Sequence, residues 1–360
     1  MILTVLLFVL ILSVLVFVHE LGHFLVARAC GMHVEEFGFG FPPRAFGIRR
    51  GKTLYSINWI PIGGFVRIKG ENGNDKSDHD SFSSKKPWQR FLVLIAGVTM
   101  NFLLAIVLLS IGFMVGLPSE IGSDVPSQAT IAHSRIAIME VVADSPAARA
   151  GVERGDSIAM FDGHVIEDAN QAREYLMRRT EEGVDLVIQK RDTTQKMVRV
   201  VAEPLKGTEM VGIGVGFVRT GFVSYPFHLA IVRGFTATVR MTGDILHAFS
   251  GLIIGLFSGQ PIDASLSGPV GIAVMTGEVA AMGIVYLLQF AAILSINLGV
   301  INVLPFPALD GGRILFLIIE KLRGKAVNER LEIVVNNIGF LFLMALIVFV
   351  TVKDVMHLFT

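Results

Sequence analysis

The chain contains a single cysteine, Cys30, among its 360 residues, so no disulfide bond can form within it. Lysine and arginine together number 31, as do aspartate and glutamate, and the net charge is zero. Nothing in the charge balance therefore favours nucleic acid as a partner. Charged residues make up only 17% of the chain and hydrophobic residues 52%, with a mean hydropathy of +0.62. This composition is typical of a protein that crosses a membrane several times and carries a soluble part.

The apolar residues are concentrated in four runs that are long enough to cross a bilayer as helices. The first run covers about 2–27, and residues 1–18 carry no charge. The other three cover about 91–117, 284–304 and 332–352. The first run lacks a basic start and a small-residue cleavage site, so we expect no cleavable signal peptide.

A fifth apolar stretch, 228–258, is interrupted by Arg233, Arg240 and Asp244. Charges at these positions predict an amphipathic helix that lies along the membrane surface. A poor fifth span is the alternative interpretation.

The loops that connect the four runs differ in charge. Lysine and arginine are frequent between the first and second runs and again between the third and fourth runs. Because positively charged short loops stay on the cytoplasmic side, we expect both of these loops to be cytoplasmic. Both termini and the segment 118–283 then lie outside the cytoplasm.

The first run contains the pentapeptide His19-Glu20-Leu21-Gly22-His23. On a helix, residues four positions apart lie on one face, so both imidazoles can reach one metal ion. Glu20 projects from the next position toward a water molecule on that metal, as in the H-E-x-x-H signature of zinc hydrolases. Ionisable groups within a membrane helix are costly and mark functional sites, so two incidental surface histidines are a poor explanation. We therefore predict zinc ligands at His19 and His23 and a general base at Glu20.

A catalytic zinc usually has three protein ligands, so a third is expected from another run. The best candidate is Asp310, which follows the third run in the segment 302–313 (NVLPFPALDGGR). Pro305 and Pro307 break the helix, and unwound backbone at membrane depth is tolerated only against protein or a water-filled cavity. The sequence therefore predicts a local cavity that holds an acid. An aspartate that caps a helix is the alternative.

The segment 127–205 has the pattern of one soluble domain. Strands are predicted at 136–142, 184–190 and 197–202, and a helix is predicted at 168–180. A short helix and a Gly-Asp turn are expected between the first strand and that helix, in the run S-P-A-A-R-A-G-V-E-R-G-D-S-I. This run resembles that of PDZ domains, which bind peptides by strand addition. A spacer or size filter with a closed groove is the alternative.

Together these motifs resemble the site-2 protease family of intramembrane zinc metalloproteases, and within it the regulator-of-sigma-E protease branch. The resemblance is carried by H-E-L-G-H on the first run and by N-x-x-P-x-P-x-L-D-G at 302–311. The segment 97–101 (GVTMN) resembles a G-x-x-x-N element of that branch. The segment 59–66 (WIPIGGFV) resembles part of its membrane-associated β-hairpin, which we expect at 53–69. The segment 267–272 (SGPVGI) is also typical of the branch.

The resemblance implies a zinc-dependent endopeptidase of the bacterial cytoplasmic (inner) membrane. Such an enzyme cleaves transmembrane segments of proteins that an upstream site-1 protease has already cut, for example anti-sigma-factor-like proteins or remnants of signal peptides. The resemblance also implies a set of substrate-binding residues, which are Asn302, Asn101, Pro305 and Pro307. Combined with the loop charges, it places the PDZ domain outside the cytoplasm and the active site toward the cytoplasmic side of the lipid bilayer.

The predicted fold is a polytopic α-helical membrane protein with about four transmembrane helices, a membrane-associated β-hairpin and one inserted α+β PDZ domain. Segment 1–117 holds the first two transmembrane helices, the H-E-x-x-H motif and the hairpin loop. Segment 127–205 is the PDZ domain, and 206–283 is an amphipathic membrane-associated linker. Segment 284–360 holds the last two transmembrane helices and the N-x-x-P-x-P-x-L-D-G motif.

Other interpretations stay open at this point. A non-catalytic PDZ-bearing membrane sensor or chaperone would be expected to have lost one of the predicted site residues, and none is lost. A metal or ion transporter would need polar groups along a path through several spans, whereas those seen here cluster at one depth. His33 and His79 are rival metal ligands, but they lie in a charged loop without helical spacing to a partner, which favours solvated histidines.

Overall fold

The chain folds into two units of different composition. One comprises Met1–Gly112 and Ile231–Thr360, which we call the membrane unit, and the other comprises Phe113–Ala230, which we call the inserted unit. The computed structural model describes all residues except 1, 72–74, 76, 123–124, 167–168, 179–181, 191–193, 205–210, 259–266, 326 and 360.

The membrane unit begins with α1 (Ile2–Ala29), which carries the H-E-x-x-H residues toward its C-terminal end. Two strands, β1 (Val34–Arg50) and β2 (Thr53–Ile68), follow, and α2 (Pro87–Val115) comes next. A single 3-10 turn (Phe82–Ser84) precedes α2. Both helices are apolar around most of their circumference, which is typical of helices that cross a membrane.

β1 and β2 form an antiparallel hairpin that bends back on itself. The first part of β1 lies between the two parts of β2, since Phe37 pairs with both Val66 and Tyr55. The sequence-based placement of the hairpin at 53–69 is therefore corrected, because that segment supplies only the second strand. The first strand was missed because glycine, proline and arginine interrupt its apolar pattern.

Large apolar side chains are exposed along the bent part of the hairpin. They include Phe41, Phe46, Ile57, Trp59 and Ile60. A contiguous apolar surface of this kind marks contact with a partner or a membrane, which agrees with a membrane-associated hairpin.

Two polar residues on one face of α1 hold β2 in place. The Ser13 hydroxyl donates to the carbonyl of Pro61 at 2.7 Å and accepts from the amide of Gly63 at 3.3 Å. Further along the same face, the Glu20 carboxylate accepts a hydrogen bond from the amide of Val66 at 3.1 Å. The edge of β2 therefore runs along α1 and reaches the glutamate of the H-E-x-x-H motif.

The inserted unit is built around an antiparallel sheet of six strands in the order β3-β10-β4-β5-β6-β7. In chain order its elements are β3 (Leu117–Glu120), β4 (Thr130–Val141), α3 (Pro146–Arg149), β5 (Ser157–Phe161), α4 (Ala169–Arg178), β6 (Val184–Gln189), β7 (Gln195–Val200), β8 (Glu203–Pro204), β9 (Val211–Gly212) and β10 (Val215–Ser224). Ile138, Phe161 and Leu186 are completely buried in its core.

The elements of the inserted unit follow one another as the sequence predicts for a PDZ domain. Each strand and helix expected within 127–205 is present, with boundaries that differ from the prediction by a few residues. The sheet, however, extends beyond that segment on both sides, because β3 and β10 pair with each other and β10 pairs with β4. The part 211–224 of the predicted linker 206–283 thus belongs to strands, while 206–210 and 259–266 lie outside the described residues.

Among the described residues, five helices follow β10. They are α5 (Phe227–Ser258), α6 (Pro269–Met282), α7 (Ile284–Val303), α8 (Asp310–Arg323) and α9 (Glu329–Phe359). In the described part of the chain, four helices are long and apolar enough to cross a membrane, namely α1, α2, α7 and most of α9. The predicted polytopic fold with about four transmembrane helices is confirmed, and α5 is not among these four.

Candidate metal centre

Three potential metal ligands from distant parts of the chain meet in the membrane unit. The Nε2 atoms of His19 and His23 lie 3.1 Å apart, and Asp310 Oδ2 lies 3.1 Å from the first and 3.3 Å from the second. Both histidines are buried, and the aspartate is largely so. The four-residue spacing on α1 brings the two imidazoles to one face, and the start of α8 supplies the carboxylate.

The arrangement fits zinc. Zinc binds imidazole nitrogen and carboxylate oxygen at about 2.0–2.2 Å, which places tetrahedral ligands roughly 3.3 Å or slightly more from one another. Asp310 Oδ2 is buried and has no well-aligned hydrogen bond among the described residues, although both imidazoles are close. A bound cation would satisfy this oxygen, since buried polar atoms in native proteins normally have a partner.

The ionisation state of Asp310 agrees with this role. Burial raises the pKa of its carboxyl group, but the adjacent imidazoles of His19 and His23, when protonated, lower that pKa by more, so it lies below the ordinary range. The side chain is therefore a carboxylate, the form that coordinates a metal.

One face of α2 supports both imidazoles from behind. The carbonyl of Val93 lies 2.7 Å from His23 Nδ1. Because a carbonyl can only accept, Nδ1 carries the proton and Nε2 presents a lone pair toward the cluster. A Cβ atom on Gly97 would lie 2.7 Å from His19 Cε1 and 2.8 Å from His19 Nε2, so only glycine leaves room for the rings here.

The loop between α7 and α8 sets the position of Asp310. α7 ends at Val303, and the segment 304–309 forms a series of tight turns before α8 begins. The amide of Ala308, a residue with φ of 75°, donates to Asn336 Oδ1 on α9 at 3.1 Å. The break in the helix that the two prolines predict is thus present, and the last membrane helix holds it.

A cavity of about 220 Å³ opens beside the three ligand atoms. Glu20 and Val66 line one side of it, and Ala308 and Asp310 line another. Glu20 accepts a hydrogen bond through Oε2 from Val66, and the described residues give its other carboxylate oxygen none. A carboxylate that faces a cavity next to a metal site has the geometry required of a general base.

Two ion pairs fix α8 relative to the rest of the cavity. Arg313, one helical turn after Asp310, contacts Glu71. Burial lowers the pKa of Arg313, but the carboxylates around it, with Glu71 foremost, together raise it by more, so the guanidinium stays charged. Farther along α8, Glu320 lies 3.2 Å from Arg90 at the start of α2. Neither pair was found from the sequence, because charged residues so far apart along the chain give no local signal.

The predicted substrate-binding residues occupy different environments. Asn302 is half-buried in the last turn of α7, and its side chain makes no hydrogen bond with the described residues. Pro305 is exposed and Pro307 is half-buried in the turn that precedes Asp310. Asn101 is completely buried, and its side-chain Nδ2 lies 3.1 Å from His19 Nδ1.

The rival histidines lie away from the cluster. His33 is near the surface, with Nδ1 3.8 Å from Asp80 Oδ2, and His79 is exposed. Within the described residues, His19, His23 and Asp310 form the single group of three or more potential ligands.

Known proteins resemble this chain over nearly its whole length. Residues 7–346 match the family model described as Peptidase family M50. The Regulator of sigma-W protease RasP of Bacillus subtilis is 33% identical over 440 aligned positions, which cover 99% of this chain and 99% of that protein. The Zinc metalloprotease RasP of Bacillus licheniformis is 33% identical over 442 positions, with the same coverage.

A solved structure resembles part of the chain. The PDZ domain of the SdrC-like protein of Listeria monocytogenes is 19% identical, and the match covers 24% of this chain and 92% of that one with a TM-score of 0.22.

The family model covers most of the chain, and the relatives align with it over nearly their whole length. The chain therefore belongs to peptidase family M50, the site-2 proteases, and is a zinc metalloprotease of that family.

Proposed function

We propose that this protein hydrolyses peptide bonds within the transmembrane segments of other membrane proteins, with zinc held by His19, His23 and Asp310. The observation that carries the proposal is the convergence of these three ligand atoms beside Glu20, on a helix long and apolar enough to cross a membrane. A non-catalytic sensor would have no need to keep this arrangement intact.

The chemistry follows from the residues around the cavity. A zinc ion held by His19, His23 and Asp310 would supply Lewis-acid chemistry, which would polarise the scissile carbonyl group and make a bound water molecule acidic enough to ionise near pH 7. Glu20 accepts the proton of the attacking water and returns it to the leaving amine. The Val66 amide, which donates to Glu20 Oε2, holds the carboxylate toward the cavity.

The substrate backbone must be unwound before it can react, because a helix hides its amides in internal hydrogen bonds. The edge of β2 that contacts Glu20 can receive an extended segment by strand addition. Asn302 has an unpaired amide at the end of α7, among the described residues, and is suited to bind a substrate backbone. Pro305 and Pro307 keep the adjoining turn open for the same segment.

The name of the Bacillus subtilis relative, a regulator of sigma-W protease, supports an anti-sigma-factor-like membrane protein as the substrate class. Remnants of signal peptides resemble a trimmed anti-sigma-factor-like protein, because both consist of a short apolar helix without a large outer portion. A substrate of this kind arises when an upstream site-1 protease removes the outer domain first.

The charge of the connecting loops supports a multi-pass protein of the bacterial cytoplasmic (inner) membrane. In this orientation the β1–β2 hairpin and α8 face the cytoplasm, and the inserted unit lies outside. Cleavage then occurs toward the cytoplasmic side of the bilayer.

Zinc content tests the ligand set. The purified full-length protein should hold one zinc ion per chain, and His19→Ala or His23→Ala should lose it, because two ligands alone bind zinc weakly. His33→Ala, a histidine outside the cluster, is the matched control and should keep the metal. Elemental analysis measures all four proteins, and a zinc-free wild type with full proteolytic activity would refute the metal assignment.

Replacement of Glu20 separates the base from the ligands. Glu20→Gln keeps the shape of the side chain but cannot accept a proton, so zinc should be retained while cleavage falls by roughly 10²-fold or more. Asp310→Asn should instead weaken zinc binding, and the exposed Glu182→Gln should change neither property. Cleavage of a trimmed single-span substrate in detergent provides the rate. Loss of zinc from Glu20→Gln with full occupancy in Asp310→Asn would reverse the two roles.

Thiol labelling tests the orientation. In a Cys30→Ser background, Lys86→Cys should resist an impermeant maleimide added outside intact cells, whereas Glu182→Cys should react. Both positions are exposed, so accessibility within the fold does not decide the result. Labelling of both after permeabilisation is the control, and the opposite pattern in intact cells would refute the proposed topology.

The inserted unit is proposed to exclude substrates that still carry a bulky outer portion. Replacement of 117–224 by a flexible Gly/Ser linker removes the sheet without leaving β3 or β10 unpaired. The variant should hold zinc as the wild type does and should cleave substrates that have not been trimmed. A variant that holds zinc, cleaves trimmed substrate and still rejects untrimmed substrate would show that selection lies elsewhere.

A further inference from the structure

The second ring nitrogen of His19 lies against the side-chain amide of Asn101. Nδ1 of the imidazole and Nδ2 of the amide are 3.1 Å apart, and Asn101 is completely buried. Water therefore cannot replace this contact, and the hydrogen-bonding capacity of both groups has to be met within the protein.

The orientation of the amide follows from the chemistry of His19. A neutral imidazole has one N–H and one lone pair, so a ring that binds a metal through Nε2 must donate through Nδ1. Nδ1 then needs an acceptor, which the amide oxygen provides and the amide nitrogen does not. The oxygen and nitrogen of an asparagine are alike in shape, so a half-turn of the amide exchanges their positions without moving other atoms.

The hydrogen bonds of the Asn101 amide do not by themselves decide whether its oxygen or its nitrogen faces His19. With nitrogen toward His19, Asn101 Oδ1 is buried and has no partner among the described residues. Either orientation leaves one amide atom without a partner in that part of the chain. The metal-binding form of His19 is therefore what selects the orientation with oxygen toward Nδ1.

The contact between Asn101 and His19 is one of three regularly spaced contacts between α2 and the two histidines. Val93, Gly97 and Asn101 are spaced four residues apart and share one face of the helix. The Val93 carbonyl lies 2.7 Å from His23 Nδ1, Gly97 leaves space for both rings, and Asn101 contacts His19. The two histidines, also four residues apart on α1, thus each have Nδ1 next to a polar group of α2, which is the Val93 carbonyl for His23 and the Asn101 amide for His19.

A contact from a third helix keeps Asn101 in place. The Ser295 hydroxyl on α7 donates to the main-chain carbonyl of Asn101 at 2.8 Å, and both residues are completely buried. This contact fixes the backbone of Asn101, whose side chain lies against His19 and is not among the residues that line the cavity.

We infer that Asn101 is a positioning residue for the metal centre, whose side-chain oxygen accepts the Nδ1 proton of His19 and so fixes the ring and its lone pair toward the metal. This inference rests on the proposed zinc site and replaces direct substrate contact as the role of Asn101. Outer partners of metal-binding histidines typically contribute 10- to 100-fold in metal affinity. The Val93 carbonyl cannot be removed by substitution, so Asn101 is the outer contact that can be tested.

The test compares zinc affinity and cobalt spectra in the full-length protein. Asn101→Leu is similar in shape but has no acceptor, and its zinc affinity should fall by about 10- to 100-fold. Asn101→Asp keeps an acceptor oxygen and should bind zinc at least as well as the wild type does. Competition with a chromophoric chelator gives the affinities, and the visible absorption bands of the cobalt-substituted protein report the ligand geometry.

Asn297→Leu is the matched control, because it makes the same substitution at another asparagine of a membrane helix and should leave affinity and spectrum unchanged. If Asn101→Leu does not fold, Asn101→Ala removes the acceptor without adding bulk and carries the same expectation. Wild-type affinity and an unaltered cobalt spectrum in the variants without an acceptor would overturn the inference. An Asn101→Asp protein as defective as Asn101→Leu would also overturn it, whereas a wild type that binds no zinc would overturn the proposed function itself.

Discussion

The proposed metal centre requires three potential ligands from two distant parts of the chain to lie within about 3.3 Å of one another. His19 and His23 share one helix, so their spacing follows from helix geometry alone. Asp310 is far away in sequence and reaches them only because α7 ends at Val303 and a turn redirects the chain. Contacts from α2 support the two rings, a contact from α9 holds the turn, and a contact from β2 holds Glu20.

Close approach of backbones is what makes this register possible. Gly97 brings α2 directly behind the two imidazoles, where any side chain would collide with them. Gly339 allows α9 to approach the turn before α8 equally closely, since a Cβ there would lie 2.6 Å from the carbonyl oxygen of Pro307. Asn336, about one helical turn earlier, binds the amide of Ala308 in the same turn. Asn336 thus accepts a hydrogen bond from a backbone amide in the unwound segment, which explains why the last membrane helix carries a polar residue at this position.

The sequence predicts those features that depend on local pattern. Four long apolar runs, the spacing of His19 and His23, and the order of strands in the inserted unit all follow from periodicity or from motifs. The features that it does not predict depend on contacts between distant residues. β1 was missed because its bend and its glycines hide the alternation. β10 was missed because it pairs with β3 and β4, which precede it by many residues.

The same limit applies within the site. The motif of 97–101 is recognisable in the sequence, but its meaning appears only when α2 is placed against α1, where Gly97 gives space and Asn101 faces His19. Asn336 and the Arg313–Glu71 pair have no motif at all, because their partners are set by the fold. The side chain of Asn302 has no hydrogen-bond partner among the described residues, so the role predicted for it is an interaction with a bound substrate and not with the protein itself.

Hydrolysis within a membrane requires polar side chains in a region where their desolvation is costly. Two groups of such side chains can be distinguished in the structure by what they contact. Ser13 and Asn101 are buried and contact neighbouring protein groups, so part of the cost of their desolvation is offset by contacts with β2 and His19. Glu20 is bonded on one oxygen only, among the described residues, and its carboxylate lines the cavity beside the metal ligands. The polar residues that face protein therefore position the centre, and Glu20 keeps one oxygen toward the cavity, where the proposed reaction needs a group that can exchange a proton with water.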